Sequence, residues 1–458
     1  MSKWDYYGFL FKYLGLIAFK QKTIGKTAEA MAERHGDRPF LLFEDEVHSF
    51  KAFNANANRR AHVLRSLGIG KGDVVALMME NRPEYAETLV AIGKLGAVTS
   101  AINTNLRAQA LQHTIDTAQA RKIVVGAECL AGLKDVLPSL AHLTGADVYV
   151  DTRWPGDSQP PAGSHALNPL LAQASPDNPP HPPLNSMDLL VYIYTSGTTG
   201  LPKAARINHF RWYAAGLAMG TYALRVRPED TLYCPLPLYH SNGAMIAFGS
   251  ALVNGAKLAL SRGFSASRFW EEATRYQASC FIYIGEVLRY LVNTPPGAYD
   301  RKHRVTRILG NGLRPDIWAM FQQRFGVETI REFYASTEGN AVTINMDNVL
   351  GSMGKAVLKS SDNTAVVKFD PQREDYVRGA GGFLMPCAPG EVGELLGQIK
   401  VTAPFHGYTN PKDTEKKILR NVFKAGDSYF RTGDLVKQDA QGFYYFVDRI
   451  GDTFRWKG

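Results

Sequence analysis

The stretch YIYTSGTTGLPKAARINH, Tyr192 to His209, decides how this chain is read. Asp188 to Tyr194 is an apolar run of Leu, Val, Ile and Tyr, the pattern of a buried strand. Six small or hydroxyl-bearing residues follow at once: Thr195, Ser196, Gly197, Thr198, Thr199 and Gly200. In such a loop, backbone N–H groups unshielded by side chains converge on anions, the hydroxyls add donors, and Lys203 adds charge. The spacing is not that of a Walker A loop, which needs Gly-Lys-Ser/Thr at its end. Here Leu201 and Pro202 separate Gly200 from Lys203, and Ala204 follows, which disfavours a P-loop kinase or GTPase. A lone Gly/Thr-rich turn is structural more often than not. Six such residues in succession, with a Lys close behind, point instead to nucleotide phosphates.

On either side of this stretch, strand-like and helix-like segments alternate. DVVALMM (Asp73 to Met79), KIVVGA (Lys122 to Ala127) and DVYVD (Asp147 to Asp151) read as short strands. RPEYAETLVAIGKLGA (Arg82 to Ala97) reads as a helix, with Pro83 suited to its first turn and Gly96 to its end. The alternation predicts an α/β fold with parallel strands. Trp154 to Met187 is rich in Pro, Ser, Asn and Ala and reads as a linker. Beyond Asn345, GEVGELLGQIK and YFRTGDLVKQDAQGFYYFVDR, with their Gly-Asp pairs, suggest hairpins of a small β-rich unit. The 458 residues suit about three units of ordinary domain size. The expected limits are 24–153 for a first α/β subdomain, 154–187 for the linker, 188–345 for a second α/β subdomain with the phosphate loop, and 346–448 for the β-rich subdomain.

Hydrophobic residues at 45% and charged residues at 21% describe a globular chain rather than a disordered one. The net charge of +9 favours anionic partners, but no Lys/Arg run or nucleic-acid signature accompanies it. The four cysteines, Cys129, Cys234, Cys280 and Cys387, form no CxxC, so neither zinc nor a redox pair is suggested. Residues 1–23 form an amphipathic amino-terminal segment, aromatic and edged with Lys. Lys12 splits it and Lys20 closes it too early for a membrane span, and no signal-type cleavage site follows. An interfacial helix resting on a bilayer and a helix packed on the protein's own body are equally compatible with it. The expected location is cytoplasmic, or peripheral on the inner face of a membrane.

Three later stretches sharpen the nucleotide reading. REFYASTEGN (Arg331 to Asn340) joins Tyr334, able to stack on a base, to Glu338, able to hold Mg²⁺. Taken alone, it is an ordinary strand end. YFRTGDL (Tyr429 to Leu435) offers Asp434 in a tight turn, where a carboxylate can accept from both ribose hydroxyls. FVDRIGDTFRWKG (Phe446 to Gly458) carries Arg449, a ribose or phosphate partner or else a surface ion pair.

Phosphate loop, aromatic-Thr-Glu, Thr-Gly-Asp and Asp-Arg, in this order, resemble the adenylate-forming superfamily of acyl-CoA synthetases, luciferases and peptide-synthetase adenylation domains. AINTNLRAQALQH (Ala101 to His113), the stretch Phe264 to Pro295, and GNGLRPDIWAMFQQRFG (Gly310 to Gly326) look like the fatty acid transport protein and very-long-chain acyl-CoA synthetase family. Ala335 stands where that family customarily has Gly. The resemblance implies a large N-terminal domain of two α/β subdomains plus the β-rich one. It implies activation of a long- or very-long-chain fatty acid by ATP and Mg²⁺ to acyl-AMP, then transfer to coenzyme A. A different carboxylate (bile-acid, aryl or carnitine-type), or fatty acid uptake with little catalysis, are the alternatives.

By motif matching, Thr195 to Gly200 and Lys203 would embrace the β- and γ-phosphates. Thr337 would contact the α-phosphate, and Glu338 would bind Mg²⁺. Gly310, Asn311, Gly312 and Tyr334 would frame adenine, while Asp434 and Arg449 would hold ribose. His240, in PLYHSNGA, would lie beside the acyl carboxylate, although a lone His is more often a packed core residue. Tyr239 to Gly249 and Phe281 to Tyr290 would wall an acyl tunnel. Residues 449–458 match the superfamily's hinge motif. The small C-terminal domain that follows the hinge in the superfamily, with its catalytic Lys, is expected to be absent here, leaving nucleotide binding but weak or no complete turnover.

Overall fold

The structure is a computed structural model describing residues 8, 11, 14–16, 21–156, 159–195, 201–356 and 362–450. Two large sheets, one smaller sheet and a two-stranded ribbon, Phe369–Asp370 with Asp375–Tyr376, organise these residues. The first sheet runs His165–Ala166, Val148–Asp151, Lys122–Gly126, Val74–Met78, Val98–Ala101, Leu189–Thr195 and Lys203–Asn208 in spatial order. All its pairs are parallel except the last. Its central strands Val74–Met78 and Val98–Ala101 are buried on both faces, which is why Val74–Met78 reads as a continuous apolar run rather than an alternating one. The helix Pro83–Lys94 is buried along its whole length, with Pro83 opening it.

The second sheet has Thr231–Cys234, Lys257–Leu260, Cys280–Ile284, Arg307–Asn311 and Thr329–Ala335 as its parallel centre. Val342–Ile344 and Lys355–Ala356 extend one edge, and Pro39–Phe43 with Glu46–Ser49 the other. The third sheet joins Thr364–Val367, Val392–Gln398, Ser428–Gln438, Ile418–Arg420 and Tyr444–Arg449, antiparallel throughout. Two α/β layers and a small β unit are therefore present, as the sequence reading expects.

The expected domain limits do not coincide with the sheets. Strands Pro39–Phe43 and Glu46–Ser49, inside the expected first unit, belong to the second sheet. Strands Leu189–Thr195 and Lys203–Asn208, inside the expected second unit, complete the first. An apolar run announces a strand but not its partner, so this exchange is invisible to composition. The Pro-rich crossing 154–187 is not structureless either. It holds the strand His165–Ala166 and the helix Leu167–Gln173, and Asn178 Oδ1 accepts from Asn54, Asn58 and Lys94 at 2.9, 2.9 and 3.3 Å.

Thr432-Gly433-Asp434 is not a tight turn. It lies inside the strand Ser428–Gln438, where pairing slips between Glu394 and Leu396. Gly433 has φ +82°, a left-handed conformation that a side chain would strain. The bulge lets a strand residue, Asp434, line the cleft described below. Among the described residues no helix is long and apolar enough to cross a membrane. Most of residues 1–23, and with them the expected membrane contact, fall outside the described residues.

Candidate active site

A cleft of about 440 Å³ opens where the three sheets meet. Thr195 and Lys203 reach it as cross-strand partners at the ends of Leu189–Thr195 and Lys203–Asn208, so these strands bring the two ends of the Gly-rich loop side by side. Ser196, Gly197, Thr198, Thr199 and Gly200 lie outside the described residues. Asn311 comes from the carboxyl end of its parallel strand, and Ala335, Ser336, Thr337 and Glu338 from the end of the next. Crevices at such strand ends are where α/β sheets bind ligands. His240, Ser241 and Asn242 come from the segment after Thr231–Cys234, and Thr432, Gly433, Asp434 and Arg449 from the small sheet.

Each acidic group is held by a defined partner. Glu338 Oε1 accepts from the Tyr408 hydroxyl at 2.6 Å. Burial and the neighbouring Glu338 carboxylate push the Tyr408 phenol well above its ordinary range, so it stays a donor. Asp434 Oδ1 accepts from Arg449 Nε at 3.0 Å, and Oδ2 from the Tyr334 hydroxyl at 2.5 Å. Thr337 and Ser241 hydroxyls lie 3.3 Å apart. Arg211 braces the turn that carries Thr337 and Glu338. Its guanidinium donates to the carbonyls of Ser336 at 3.0 Å and Glu338 at 3.2 Å, and to that of Gly339. Burial pushes Arg211 down to about 10, still protonated at neutral pH.

Lys203 Nζ pairs with Asp413 at 3.1 Å and lies 5.9 Å from the Tyr408 ring centroid. Lys417 lines the same cleft and donates to the Thr432 carbonyl at 3.3 Å; desolvation lowers its pKa although Glu338, Glu394 and Asp434 pull the other way. The His240 ring packs edge-on against Tyr239 at 4.6 Å, and partial desolvation lowers its pKa, favouring the neutral imidazole.

The cleft thus gathers Thr195, Lys203, His240, Asn311, Thr337, Glu338, Asp434 and Arg449. It does not gather Tyr334, Gly310 or Gly312. Tyr334 is buried with Ala341, Met353, Leu395 and Val436, behind Asp434 rather than on the cleft wall. Its aromatic ring closes a core, and its hydroxyl fixes the carboxylate. Gly310 is required by packing: a Cβ there would come within 2.2 Å of the Tyr283 carbonyl oxygen. Of the expected acyl walls, His240, Ser241, Asn242 and Ile284 line the cleft, whereas Phe281, Ile282, Tyr283 and Ala244 to Phe248 are core residues. Sequence reasoning missed Tyr408, Lys417, Asp413 and Arg211. Their one local signal is the Lys416-Lys417 pair before an apolar residue, which is too common to single out.

A family model described as AMP-binding enzyme matches residues 28–409. The chain belongs to the AMP-binding enzymes. The medium/long-chain-fatty-acid–CoA ligase FadD6 of Mycobacterium tuberculosis is 40% identical over 436 residues, covering 95% of this chain and 70% of that protein. Rat long-chain fatty acid transport protein 2 is 40% identical over 442 residues, with the same two shares. Among solved structures, the inhibitor-bound N-terminal domain of FACL13 from M. tuberculosis superposes with a TM-score of 0.73 at 26% identity, covering 94% of this chain and 100% of that one. The anthranilate CoA ligase AuaEII with anthranoyl-AMP gives 0.79 at 20% identity, covering 94% and 78%, a likeness of fold. This AMP-binding enzyme therefore has the architecture of an adenylate-forming N-terminal domain, and its relatives are fatty-acid CoA ligases and fatty acid transport proteins.

Proposed function

We propose that the chain binds ATP in this cleft and activates a long- or very-long-chain fatty acid as its acyl-adenylate, the first half of an acyl-CoA synthetase reaction. The observation that carries this reading is the convergence of Thr195, Lys203, Thr337, Glu338, Asp434 and Arg449, from segments far apart in sequence, on one cleft. The fatty acid class comes from the names of the relatives.

The chemistry needs two anions side by side. A fatty carboxylate is ionised at neutral pH, so no general base is required. Attack on the α-phosphate forms the acyl–phosphate bond and releases pyrophosphate. What the protein must supply is alignment and positive charge. Lys203 and Lys417 supply the charge, and the Thr195 and Thr337 hydroxyls are donors for phosphate oxygens. Asp434, fixed by Tyr334 and Arg449, accepts from ribose hydroxyls. The neutral His240 donates or accepts one hydrogen bond beside the acyl carboxylate.

The residues present fit a nucleotide accompanied by Mg²⁺. Among the described residues no group of three His, Cys, Asp or Glu forms a metal cage. Glu338, with one oxygen taken by Tyr408, is the carboxylate that would hold the ion together with phosphate oxygens, the usual manner for Mg²⁺. Bound there, the ion neutralises phosphate charge. Coenzyme A, as the second co-substrate, would take the acyl group from AMP through its thiol. Each buried CH₂ of the acyl chain adds about 0.8 kcal/mol, so burying the chain against apolar side chains favours long acids.

Calorimetry with Mg²⁺-ATP on wild type and Asp434→Ala tests the reading. Loss of a charged acceptor for the ribose weakens binding by about 1.5–3 kcal/mol; equal affinities remove Asp434 from the site. Pyrophosphate release over a panel of fatty, bile-acid, aryl and carnitine-type acids then separates the fatty acid reading from that of another carboxylate.

A further inference from the structure

We propose that Asp413 is an internal stand-in for phosphate: it holds Lys203 and must give it up to a triphosphate, so it tunes how strongly the cleft prefers ATP over AMP. This rests on the nucleotide reading of the cleft.

Backbone pairing creates the contact. Residues 407–409 run beside the strand Lys203–Asn208: Arg206 N–H donates to the Gly407 carbonyl at 3.1 Å, and Thr409 N–H to that of Ala204 at 3.0 Å. The chain then turns into the short helix Pro411–Glu415. Asn410 caps it by accepting from Lys412 N–H at 2.9 Å, and the Thr414 hydroxyl accepts from Tyr408 N–H at 3.0 Å. These bonds fix Asp413, whose Oδ1 meets Lys203 Nζ at 3.1 Å. Both side chains are less than one third exposed, which leaves the pair only partly screened.

A second cavity of about 310 Å³ is lined by Lys203, Tyr408, Asp413, Lys416 and His113 among others, and Asp413 lines this cavity but not the cleft. Lys203 and Tyr408 line both cavities. Lys203 therefore stands at a partition, drawn towards Asp413 on one side and available to anions on the other. Lys417, the other cleft lysine, makes no ion pair among the described residues. A ligand with β- and γ-phosphates competes with Asp413 for Lys203. A monophosphate presents less charge at that end and competes less.

The test is calorimetry of Mg²⁺-ATP and AMP on wild type, Asp413→Asn, Lys203→Met and the double variant, with thermal melts as a check on folding. Asp413→Asn is expected to tighten ATP by about three- to tenfold, to leave AMP within twofold, and to have no effect on ATP when Lys203 is Met. Asp413→Glu should restore wild-type affinity. Unchanged or weakened ATP binding in a folded Asp413→Asn, or equal tightening of ATP and AMP, overturns the proposal. If wild type binds neither nucleotide, the nucleotide reading fails and this inference falls with it, an outcome seen before any variant is compared.

Discussion

Glu332 shows how a single residue supports the site from behind. It lies one strand position from Phe333, on the segment that leads to Thr337, and accepts from the Leu313 N–H at 3.0 Å and from the Tyr283 hydroxyl. Burial raises its pKa to about 8. The folded chain therefore holds a proton that the unfolded chain, at an ordinary value near 4.5, has already released. The resulting stabilisation is complete below about pH 4.5 and is lost as pH rises through about 8. Thermal melts from pH 5 to 9 are expected to fall for wild type and to flatten for Glu332→Gln, whose amide keeps both contacts without a charge. A wild-type profile no steeper than that of the variant would refute this account. At this scale the sequence is legible where a side chain's chemistry is its role: Lys203, Glu338 and Asp434 stand in motifs whose residue types suit phosphate, Mg²⁺ and ribose. It is illegible for Tyr408, Asp413 and Arg211. Their partners lie about 70 to 210 positions away and are met only through backbone pairing and loop placement.

Elements meet through buried charge as well as apolar packing. Arg60, on the helix Phe50–Ser66, donates from Nε to Glu87 at 3.2 Å and from Nη2 to Asp151 at 2.9 Å. It thereby ties the helix Pro83–Lys94 and the strand Val148–Asp151 to its own helix. Removing one partner of such a group leaves a buried carboxylate uncompensated, and Arg60→Met is expected to cost about 3–5 kcal/mol in denaturant unfolding. A loss under 1 kcal/mol would mean that water or Arg82 compensates. Gly310→Ala tests strand contact in the same way: with Tyr283 O so near, overpacking is expected to cost about 1–3 kcal/mol or more. Most elements were readable, because fully buried parallel strands are unbroken apolar runs and Pro83 marks its helix. The bulge at Gly433 was not, because a Gly-Asp pair inside a strand and one in a turn look the same until pairing is known.

At the scale of the molecule, the two large sheets each borrow strands from the chain segment of the other. A fragment covering 24–153 would lack the strand Leu189–Thr195, the partner of Val98–Ala101, and would strand Pro39–Phe43 without Lys257–Leu260. It is expected to give the circular dichroism and amide spectra of an unfolded chain; a cooperative melt from that fragment would contradict the interlock. This arrangement also explains why the cleft is assembled from so many segments. The exchanged strand pair ends at Thr195 and Lys203, the second sheet ends at Asn311 and Ala335, and the small sheet supplies Asp434 across the gap. The most direct test of the central claim is a crystal structure of this chain grown with ATP and Mg²⁺. The account predicts the triphosphate beside Lys203 and Glu338, with Asp413 released from Lys203, and the ribose hydroxyls on Asp434. Nucleotide bound elsewhere, or a cleft that stays closed to it at saturating concentration, would contradict it.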